Sequence, residues 1–327
     1  MKEYRDYDEL FPELVYDIVD YFRKNNRVKP LAKKSVFDFC ANSRFNEQLP
    51  GGGMIQPDVV NMICQTLEKK GVLMCIHGGD GLQGDVSNYL FMPGDDTEFV
   101  KKDPVIVFRL NCLAYGFCYI YNVYRDYVLP VVVKKNDTVS MGTCFRFRSG
   151  IVTAKHCIEA DEVWIPGFSA EKLNQCQVFV STDEKIDMAY IECGEYVPLI
   201  ADEVKVLDEV LVMGYPKIPM FFDFLAAERA TVSSIPTRGA VASLADQFIS
   251  RNAGPLMLVT ARARGGNSGG PIIDANGAVV GMAFVEPASY GDYDEMGYGI
   301  AYPIGVLNQL MRNSSSVVVN FVDRING

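Results

Sequence analysis

One serine, Ser268, lies among four glycines in the stretch GGNSGGPIID (residues 265–274), which continues into a proline and an apolar run. A tight hairpin turn needs only one Asn-Gly or Gly-Gly pair, so a turn between two strands does not require this many glycines. Glycines also let backbone N–H groups approach a ligand atom that side chains would obstruct. A serine hydroxyl with amides on either side has the layout of a nucleophile beside an oxyanion-binding loop. We therefore favour a catalytic loop over a structural turn.

A serine hydroxyl is a poor nucleophile at neutral pH and needs an adjacent base, usually an imidazole oriented by a carboxylate. The chain has only two histidines. His77 lies in MCIHGGDG, where no partner motif accompanies it, whereas His156 follows a strand-like run in GIVTAKHCIEA. Asp187, in EKIDMAYIE, directly precedes another apolar strand, as a buried orienting carboxylate requires. The sequence thus supplies a candidate base and a candidate acid, and it predicts no chemical role for His77.

The motifs TAKHC, DMAYI and GNSGGP, in the order His156, Asp187, Ser268, resemble those of the trypsin-like (chymotrypsin-fold) serine peptidases. Their short separation resembles the compact bacterial type, and the resemblance covers about residues 127–311. It implies that Ser268 attacks the scissile carbonyl, that His156 acts as general base and acid, and that Asp187 holds the imidazole tautomer. It also implies an oxyanion hole formed by the backbone amides of Gly266 and Ser268. No cofactor and no metal are expected.

The same resemblance implies two six-stranded antiparallel barrels with the site between them. The strand in NGAVVGMAFVE would line the substrate cleft, so that Phe284, Val285 and Glu286 pair with a substrate backbone by strand addition. Gly299 would form the next wall of the primary pocket, and Arg262 by its spacing lies near the floor. Three interpretations of Arg262 stay open: it selects acidic substrate side chains, it pairs with Glu286, or it is a surface arginine.

Two departures from the animal digestive branch of this family concern activation and cross-linking. Asn267 precedes the nucleophile, where that branch has an aspartate that receives a newly cut N-terminus, and more than a hundred residues precede the domain. We therefore do not expect activation by cleavage of that kind. Cys157 resembles the cysteine after the family's histidine, and Cys144 lies near the place of its partner, which leaves open whether the two form a disulfide.

The first hundred residues follow a different, largely helical pattern. An apolar stripe over residues 10–22, a short helix near residues 35–40 and a third helix in IQPDVVNMICQTLEKKG precede strands at residues 72–76 and 88–92. Three helices followed by a hairpin resemble the winged-helix pattern, over about residues 8–94. We predict a multidomain chain: a small α+β winged-helix-like domain (1–100), an apolar connector (101–126) and an all-β, chymotrypsin-like double barrel (127–327).

Several features of the N-terminal part allow a second interpretation. GDGLQG (residues 79–84) matches a dinucleotide-binding pattern, but a strand-like segment follows it, so we interpret it as a hairpin tip. Cys64, Cys75 and His77 lack the spacing of a zinc site, which favours buried structural cysteines. The apolar run PVIVFRLNCLAYGFCYIYNVY contains Arg109, which is costly inside a bilayer, so we expect a buried connector and no membrane association.

The 327-residue chain has a formal net charge of −10 and is 49% apolar. Residues 1–100 carry 11 Lys and Arg against 16 Asp and Glu, whereas DNA-binding domains usually show a basic surface. We therefore expect no nucleic-acid partner. The charged N-terminus lacks the apolar core of a signal peptide, and nine cysteines without paired spacing suit a reducing compartment. These features predict a cytoplasmic protein.

We therefore favour a serine endopeptidase that cleaves protein or peptide substrates, with control by its N-terminal domain or by a protein partner bound there. A catalytically silent adaptor that only binds peptides is an alternative from a second class, and a winged-helix regulator is an alternative from a third. The complete set of His156, Asp187 and Ser268 speaks against the adaptor. The acidic charge of residues 1–100 speaks against the regulator.

Overall fold

A computed structural model describes residues 7–28, 35–49, 51–77, 87–92, 102–217, 232–244, 255–284, 297–310 and 312–325. The chain divides into two compact units, Met1–Ile120 and Tyr121–Gly327. Each unit has its own buried core, and each is described here by itself.

The first unit is mostly helical and contains one short antiparallel strand pair, in which Leu73 lies opposite Phe91. Its elements in chain order are α1 (Tyr7–Leu10), α2 (Leu14–Val28), α3 (Val36–Ala41), a 3₁₀ helix (Arg44–Gln48), α4 (Pro57–Lys69), β1 (Leu73–His77), β2 (Asn88–Phe91) and α5 (Pro104–Tyr115). The next helix, α6 (Phe117–Tyr124), includes the division between the units.

Local sequence signals set the beginnings of these helices. Ser35 and Asp38 form a reciprocal capping box at the start of α3, each side chain accepting a hydrogen bond from the other's backbone N–H. Pro57 occupies the first turn of α4, where its missing N–H leaves no helical hydrogen bond unmade. The apolar stripes of α2, α4 and α5 then share one core, which includes Ile18, Phe22, Ile63 and Leu110.

The first unit has the predicted order of elements, and its assignment to the winged-helix class stays a prediction. The segment 101–126 is helical, and α5 places Leu110, Ala114 and Tyr115 in the core of the first unit. This unit therefore extends past residue 100, where the sequence suggested a boundary. The loop of residues 79–84 lies outside the described residues. Among the helices that the structure describes, none has the length and apolar character needed to span a membrane.

The second unit consists mainly of antiparallel strands. They are β3 (Val128–Lys135), β4 (Thr138–Thr153), β5 (Glu162–Trp164), β6 (Gln177–Ser181), β7 (Ala189–Val197), β8 (Glu209–Gly214), β9 (Ile235–Leu244), β10 (Met257–Val259), β11 (Pro271–Asp274), β12 (Val279–Phe284), β13 (Gly299–Pro303) and β14 (Ser314–Val317). Among the described residues of this unit, two short α-helices accompany the strands, α7 (Ala170–Asn174) and α8 (Gly305–Leu310).

Six of these strands form a closed barrel in the order β10-β13-β12-β11-β8-β9. The other six form a sheet in the order β14-β6-β7-β4-β3-β5. Of the two six-stranded barrels expected from the sequence, the described residues therefore give one closed barrel and one six-stranded sheet. Small and β-branched side chains fill the barrel, among them Val210, Val259, Ile272 and Ala301.

The end of α6 is anchored within the second unit by two tyrosines. Tyr121 donates a hydrogen bond to the carbonyl of Ser234 at 3.2 Å. Tyr124 is fully buried and donates to the carbonyl of Gly277 at 2.7 Å. The second unit therefore begins before β3, within the segment that the sequence suggested as a connector.

Candidate active site

Strands β4 and β7 place the candidate base and the candidate acid beside each other. The two strands pair antiparallel, with Thr153 at the end of β4 opposite Ala189 at the start of β7. His156 follows β4 in a short 3₁₀ helix (Lys155–Cys157), and Asp187 precedes β7 in the loop that begins after β6. The two residues meet because each lies just beyond the same end of one strand pair.

Asp187 binds His156 through two contacts. Its Oδ1 accepts a hydrogen bond from the backbone N–H of His156 at 2.8 Å, and its Oδ2 lies 2.5 Å from Nδ1 of the ring. With Nδ1 bonded to the carboxylate, Nε2 is the nitrogen that can accept a proton. The imidazole side chain is 34% exposed and the carboxylate side chain 18%, so the base is the more accessible partner.

The pKa of His156 reflects two opposing effects. Burial lowers it, because it disfavours the charged imidazolium, whereas the hydrogen bond with Asp187 and the neighbouring Cys157 raise it. The second effect is larger, so the pKa of His156 lies above its ordinary value of 6.5. The site therefore stabilises an imidazolium, the form that a general base adopts when it has taken a proton.

A tyrosine from the barrel holds the loop that carries Asp187. The hydroxyl of Tyr302, on β13, accepts a hydrogen bond from the backbone N–H of Asp187 at 3.2 Å and donates to the carbonyl of Lys185 at 2.9 Å. Tyr302 is 1% exposed, and its ring packs against Phe284 with the centroids 5.1 Å apart. The loop of Asp187 is thereby joined to two strands of the barrel.

Ser268 lies in the turn before β11, and its backbone is bound to the segment of His156. The Ser268 carbonyl accepts a hydrogen bond from the N–H of Thr143 at 2.9 Å, and the Sγ of Cys157 lies 3.9 Å from the same oxygen. Cys157 is the residue after His156, and both Cys157 and Ser268 are buried. The structure therefore brings the backbone of Ser268 beside Thr143 of β4 and beside Cys157, the residue that follows His156.

The backbone of Gly266 has a conformation that favours glycine. Its φ is +97°, and a Cβ there would lie 2.2 Å from the carbonyl oxygen of Tyr215. The hydroxyl of Thr143 donates to the Gly266 carbonyl at 2.7 Å, which fixes the orientation of the peptide. The N–H groups of Asn267 and Gly269 donate to backbone carbonyls, whereas within the described ranges the Gly266 N–H has no protein acceptor.

Asn267, the residue before Ser268, is buried at 3% exposure. Its Oδ1 has no hydrogen-bond partner among the residues that the structure describes. Gly214 gives it room, since a Cβ at Gly214 would lie 2.7 Å from this oxygen. A carboxylate buried here would need a cation, whereas the neutral amide of Asn267 does not.

Two of the residues predicted to line the primary pocket lie on neighbouring strands of the barrel. Phe284 ends β12 opposite Ile300, and Gly299 precedes Ile300 at the start of β13. A Cβ at Gly299 would lie 2.9 Å from the carbonyl oxygen of Ala261, so a side chain would not fit between β13 and the segment after β10.

Arg262 follows β10, and its side chain is exposed. Its carbonyl accepts a hydrogen bond from the hydroxyl of Thr237 at 2.9 Å. Val285 and Glu286 lie outside the described residues, so the structure describes neither their place on the cleft nor a pairing of Arg262 with Glu286.

The nine cysteines are all thiols, including Cys144 and Cys157, whose pairing the sequence left open. Both are buried, and burial followed by the nearby Cys157 raises the pKa of Cys144 well above its ordinary value. A buried, protonated thiol is a poor nucleophile, so Cys144 contributes to packing.

The sequence does not indicate the hydrogen bonds that Thr143 and Tyr302 make at this site. Thr143 has the character of a small residue of β4, yet its hydroxyl also accepts a hydrogen bond from the backbone N–H of Tyr215 at 2.9 Å. Tyr302 has the character of an ordinary strand residue in GYGIAYPI. Their partners Gly266 and Asp187 are 123 and 115 residues away along the chain, so no local pattern reveals the contacts.

Comparison with known proteins gives one family. Residues 142–282 match the family model described as a trypsin-like peptidase domain. The matched range includes His156, Asp187 and Ser268. Among curated proteins, none matches this chain.

Among solved structures, the chain is similar to the active form of the Rv3671c protease from M. tuberculosis: the identity is 18%, the match covers 63% of this chain and 89% of that chain, and the TM-score is 0.45. The inactive form of that protease is 19% identical, with a match over 59% of this chain and 91% of that chain and a TM-score of 0.41. The HtrA-type protease AlgW with a tripeptide is 19% identical, with a match over 60% of this chain and 62% of that chain and a TM-score of 0.45. The chain thus spans less than two thirds of the AlgW chain.

Proposed function

Since residues 142–282 are a trypsin-like peptidase domain and the protein is a serine peptidase, we propose that it is an endopeptidase with Ser268 as nucleophile, His156 as general base and acid, and Asp187 as orienting carboxylate. The observation that carries this proposal is the pair of contacts from Asp187 to the backbone and the ring of His156. These contacts fix the tautomer and the orientation of the His156 imidazole, so that its Nε2 can accept a proton from a serine hydroxyl.

In the first half of the reaction, the Ser268 hydroxyl attacks the scissile carbonyl carbon while Nε2 of His156 takes its proton. Asp187 stabilises the imidazolium that forms, which agrees with the raised pKa of His156. The tetrahedral intermediate then collapses, and the imidazolium gives its proton to the leaving amine. An acyl ester on Ser268 remains.

In the second half, water replaces the amine. His156 takes a proton from the water, the hydroxide adds to the acyl carbon, and collapse releases the carboxylic acid product. The proton returns from His156 to the Oγ of Ser268, which restores the starting state.

In both halves the negative charge on the carbonyl oxygen needs hydrogen-bond donors, for which we propose the backbone amides of Gly266 and Ser268. Support comes from the Gly266 N–H, which has no acceptor in the described part of the chain, and from the Thr143 hydrogen bond that fixes this peptide. Removal of one such donor typically costs about 3–4 kcal/mol of transition-state stabilisation.

We propose that the substrate backbone adds as a strand along Phe284, Val285 and Glu286, with Gly299 and Arg262 at the primary pocket. Phe284 ends its strand, and Gly299 lies on the neighbouring strand close to the segment that leads to Arg262, which supports this placement. The exposed Arg262 leaves the preferred substrate side chain open.

Labelling with a fluorophosphonate, followed by peptide mass spectrometry, tests the nucleophile. We expect a single adduct at Ser268, none in Ser268→Ala, and unchanged labelling in the control Ser149→Ala, whose hydroxyl lies 3.1 Å from that of Tyr190. Peptide turnover should fall by about a million-fold in Ser268→Ala and His156→Ala. His77→Ala should keep wild-type turnover. Turnover retained in Ser268→Ala would refute the mechanism, and a folded wild type without label or turnover would favour the peptide-binding adaptor.

The second part of the proposal is that residues 1–100, or a protein partner bound there, control the peptidase. Support comes from the separate core of the first unit and from its acidic charge, which disfavours nucleic acid as the partner. Low basal turnover that rises on partner binding requires a coupling of only about 2–3 kcal/mol.

Comparison of the full chain with a chain that begins at Phe117 tests this control. The shortened chain keeps Tyr121 and Tyr124, whose hydroxyls bond within the second unit, so its fold is preserved at this edge. We expect higher basal turnover in the shortened chain. Equal turnover, with no response of the full chain to cell extract, would instead indicate a targeting or scaffolding role for the first unit.

A further inference from the structure

Two thiols outside the proposed catalytic machinery meet at the base of the hairpin that carries Asp187. Strands β6 and β7 pair antiparallel, with Gln177 opposite Glu192. Cys176 directly precedes Gln177 and Cys193 directly follows Glu192, so the two cysteines adjoin the last pair of this register. These two cysteines therefore stand at the two ends of the segment 177–192, which contains the β6–β7 hairpin and the loop of Asp187.

The two thiols lie close enough together for Cys176 to raise the pKa of Cys193. Directly opposite residues of an antiparallel pair have Cα atoms about 4.5–5.5 Å apart, and disulfides span Cα separations of roughly 4.4–6.8 Å. Two cysteines that adjoin such a pair are therefore placed near the separation that a disulfide needs.

Access separates this pair from the other neighbouring thiols of the second unit. Cys176 and Cys193 are both partly exposed, whereas Cys144 and Cys157 are buried. The Sγ of Cys176 lies 3.3 Å from the carbonyl oxygen of Lys172, at the end of α7 on the surface. An oxidant from solvent therefore reaches the first pair and not the second.

Cys176 is the sulfur that reacts first. Burial, and then the neighbouring Cys176, raises the pKa of Cys193 to about 12, which keeps its thiol protonated at neutral pH. Cys193, at the adjoining position, then serves as the resolving thiol.

We propose that Cys176 and Cys193 are a site of reversible oxidation, at which a hydroperoxide forms an intramolecular disulfide. The Cys176 thiol reduces hydrogen peroxide to water and becomes a sulfenic acid. The sulfur of Cys193 then displaces its hydroxyl as a second water. The sum is two thiols and one hydrogen peroxide giving one disulfide and two waters, and a dithiol reductant reverses it.

The disulfide stabilises the hairpin that carries Asp187. The disulfide closes a loop of residues 177–192 and so restricts the conformations of the unfolded chain. Closing a loop of this size typically raises the midpoint of thermal unfolding by about 5 °C or more. The consequence for activity rests on the role proposed above for Asp187. The oxidised protein should keep its Ser268 labelling at temperatures at which the reduced protein loses it.

The experiment uses the full chain, reduced, freed of reductant and exposed to hydrogen peroxide, with the remaining thiols alkylated under denaturing conditions. Mass spectrometry without reduction should find the peptides of Cys176 and Cys193 joined, and lighter by two hydrogens than their sum. In Cys193→Ser the sulfenic acid on Cys176 should persist and react with a dimedone probe. The control Cys118→Ser, which removes an exposed cysteine far from the hairpin in sequence, should still form the cross-link.

Wild-type protein that gains only sulfenic or sulfinic acid on Cys176, or that cross-links other cysteines instead, would overturn the proposal. An unchanged unfolding midpoint in the cross-linked protein would overturn the stabilising effect. If the peptidase mechanism is the part that fails, Ser268 stays unlabelled in both redox states while the cross-link is still detected. The two failures are therefore distinguishable.

Discussion

Replacement of Gly266 by alanine tests why glycine stands two residues before the proposed nucleophile. An L-residue at φ +97° is strained by about 1–3 kcal/mol. The added Cβ would lie 2.2 Å from the carbonyl oxygen of Tyr215 and 3.0 Å from the N of Lys217. Both are backbone atoms, so no change of rotamer relieves the overlap. The loop must move, and the 2.7 Å hydrogen bond from Thr143 to the Gly266 carbonyl is lost or lengthened.

Such a movement displaces the amide proposed to bind the oxyanion. The loss of one donor lowers kcat by about 10²–10³-fold in related chemistry, so we expect Gly266→Ala to lose at least a factor of about 100 in kcat. KM should change much less, because the donor acts on charge that develops in the transition state. The backbone strain should also lower the midpoint of thermal unfolding by about 2–10 °C.

Gly265→Ala is the matched control, because a Cβ at Gly265 meets no atom within 4 Å. It should stay within about twofold of wild type in rate and be close to it in stability. The assay is the second-order rate of fluorophosphonate inactivation together with peptide turnover, and thermal unfolding is followed on the same samples. If Gly266→Ala reacts at nearly the wild-type rate and unfolds at the same temperature, the argument from backbone strain and the placement of the oxyanion hole are both wrong.

Three further predictions follow from the same geometry. Since Asp187 raises the pKa of His156, kcat/KM should rise with pH with a midpoint above 6.5. Asp187→Asn should lower both kcat and this midpoint, because burial, which lowers the pKa of His156, is then opposed by Cys157 without Asp187. A midpoint unchanged in the variant contradicts this. The raised pKa of His156 also stabilises the folded state below about pH 6.5, and this stabilisation is lost as the pH rises through the pKa that His156 has in the folded protein. It can be measured as the difference in unfolding free energy between wild type and Asp187→Asn. Tyr302→Phe should lower kcat about tenfold and leave KM unchanged, and it should shift the low-field proton resonance of the His156–Asp187 hydrogen bond. The control is Tyr190→Phe, because the Tyr190 hydroxyl contacts Ser149. Equal kinetics in the two variants would exclude the positioning role of Tyr302.

The sequence determined the residue types of the candidate site and the elements that carry them. TAKHC, DMAYI and GNSGGP identify His156, Asp187 and Ser268 because nucleophile, base and carboxylate chemistry each restrict the residues around them. The helices and strands of the first unit follow from apolar periodicity and from local signals such as Pro57, whose effects act over a few residues. Such signals can be read from sequence because both interacting groups lie in one short segment.

The tertiary structure decided which distant segments meet. Thr143 joins the loop of Gly266 to β4, and Tyr302 joins the barrel to the loop of Asp187, through contacts that span more than a hundred residues. Likewise, Cys176 and Cys193 are two scattered cysteines in the sequence, and the pairing of Gln177 with Glu192 brings the segments that carry them together. Strand order also decides that six strands close into a barrel and that the other six form a sheet. Hydrogen bonding between strands is set by their packing against a common core, and local residue patterns do not encode which strands become neighbours.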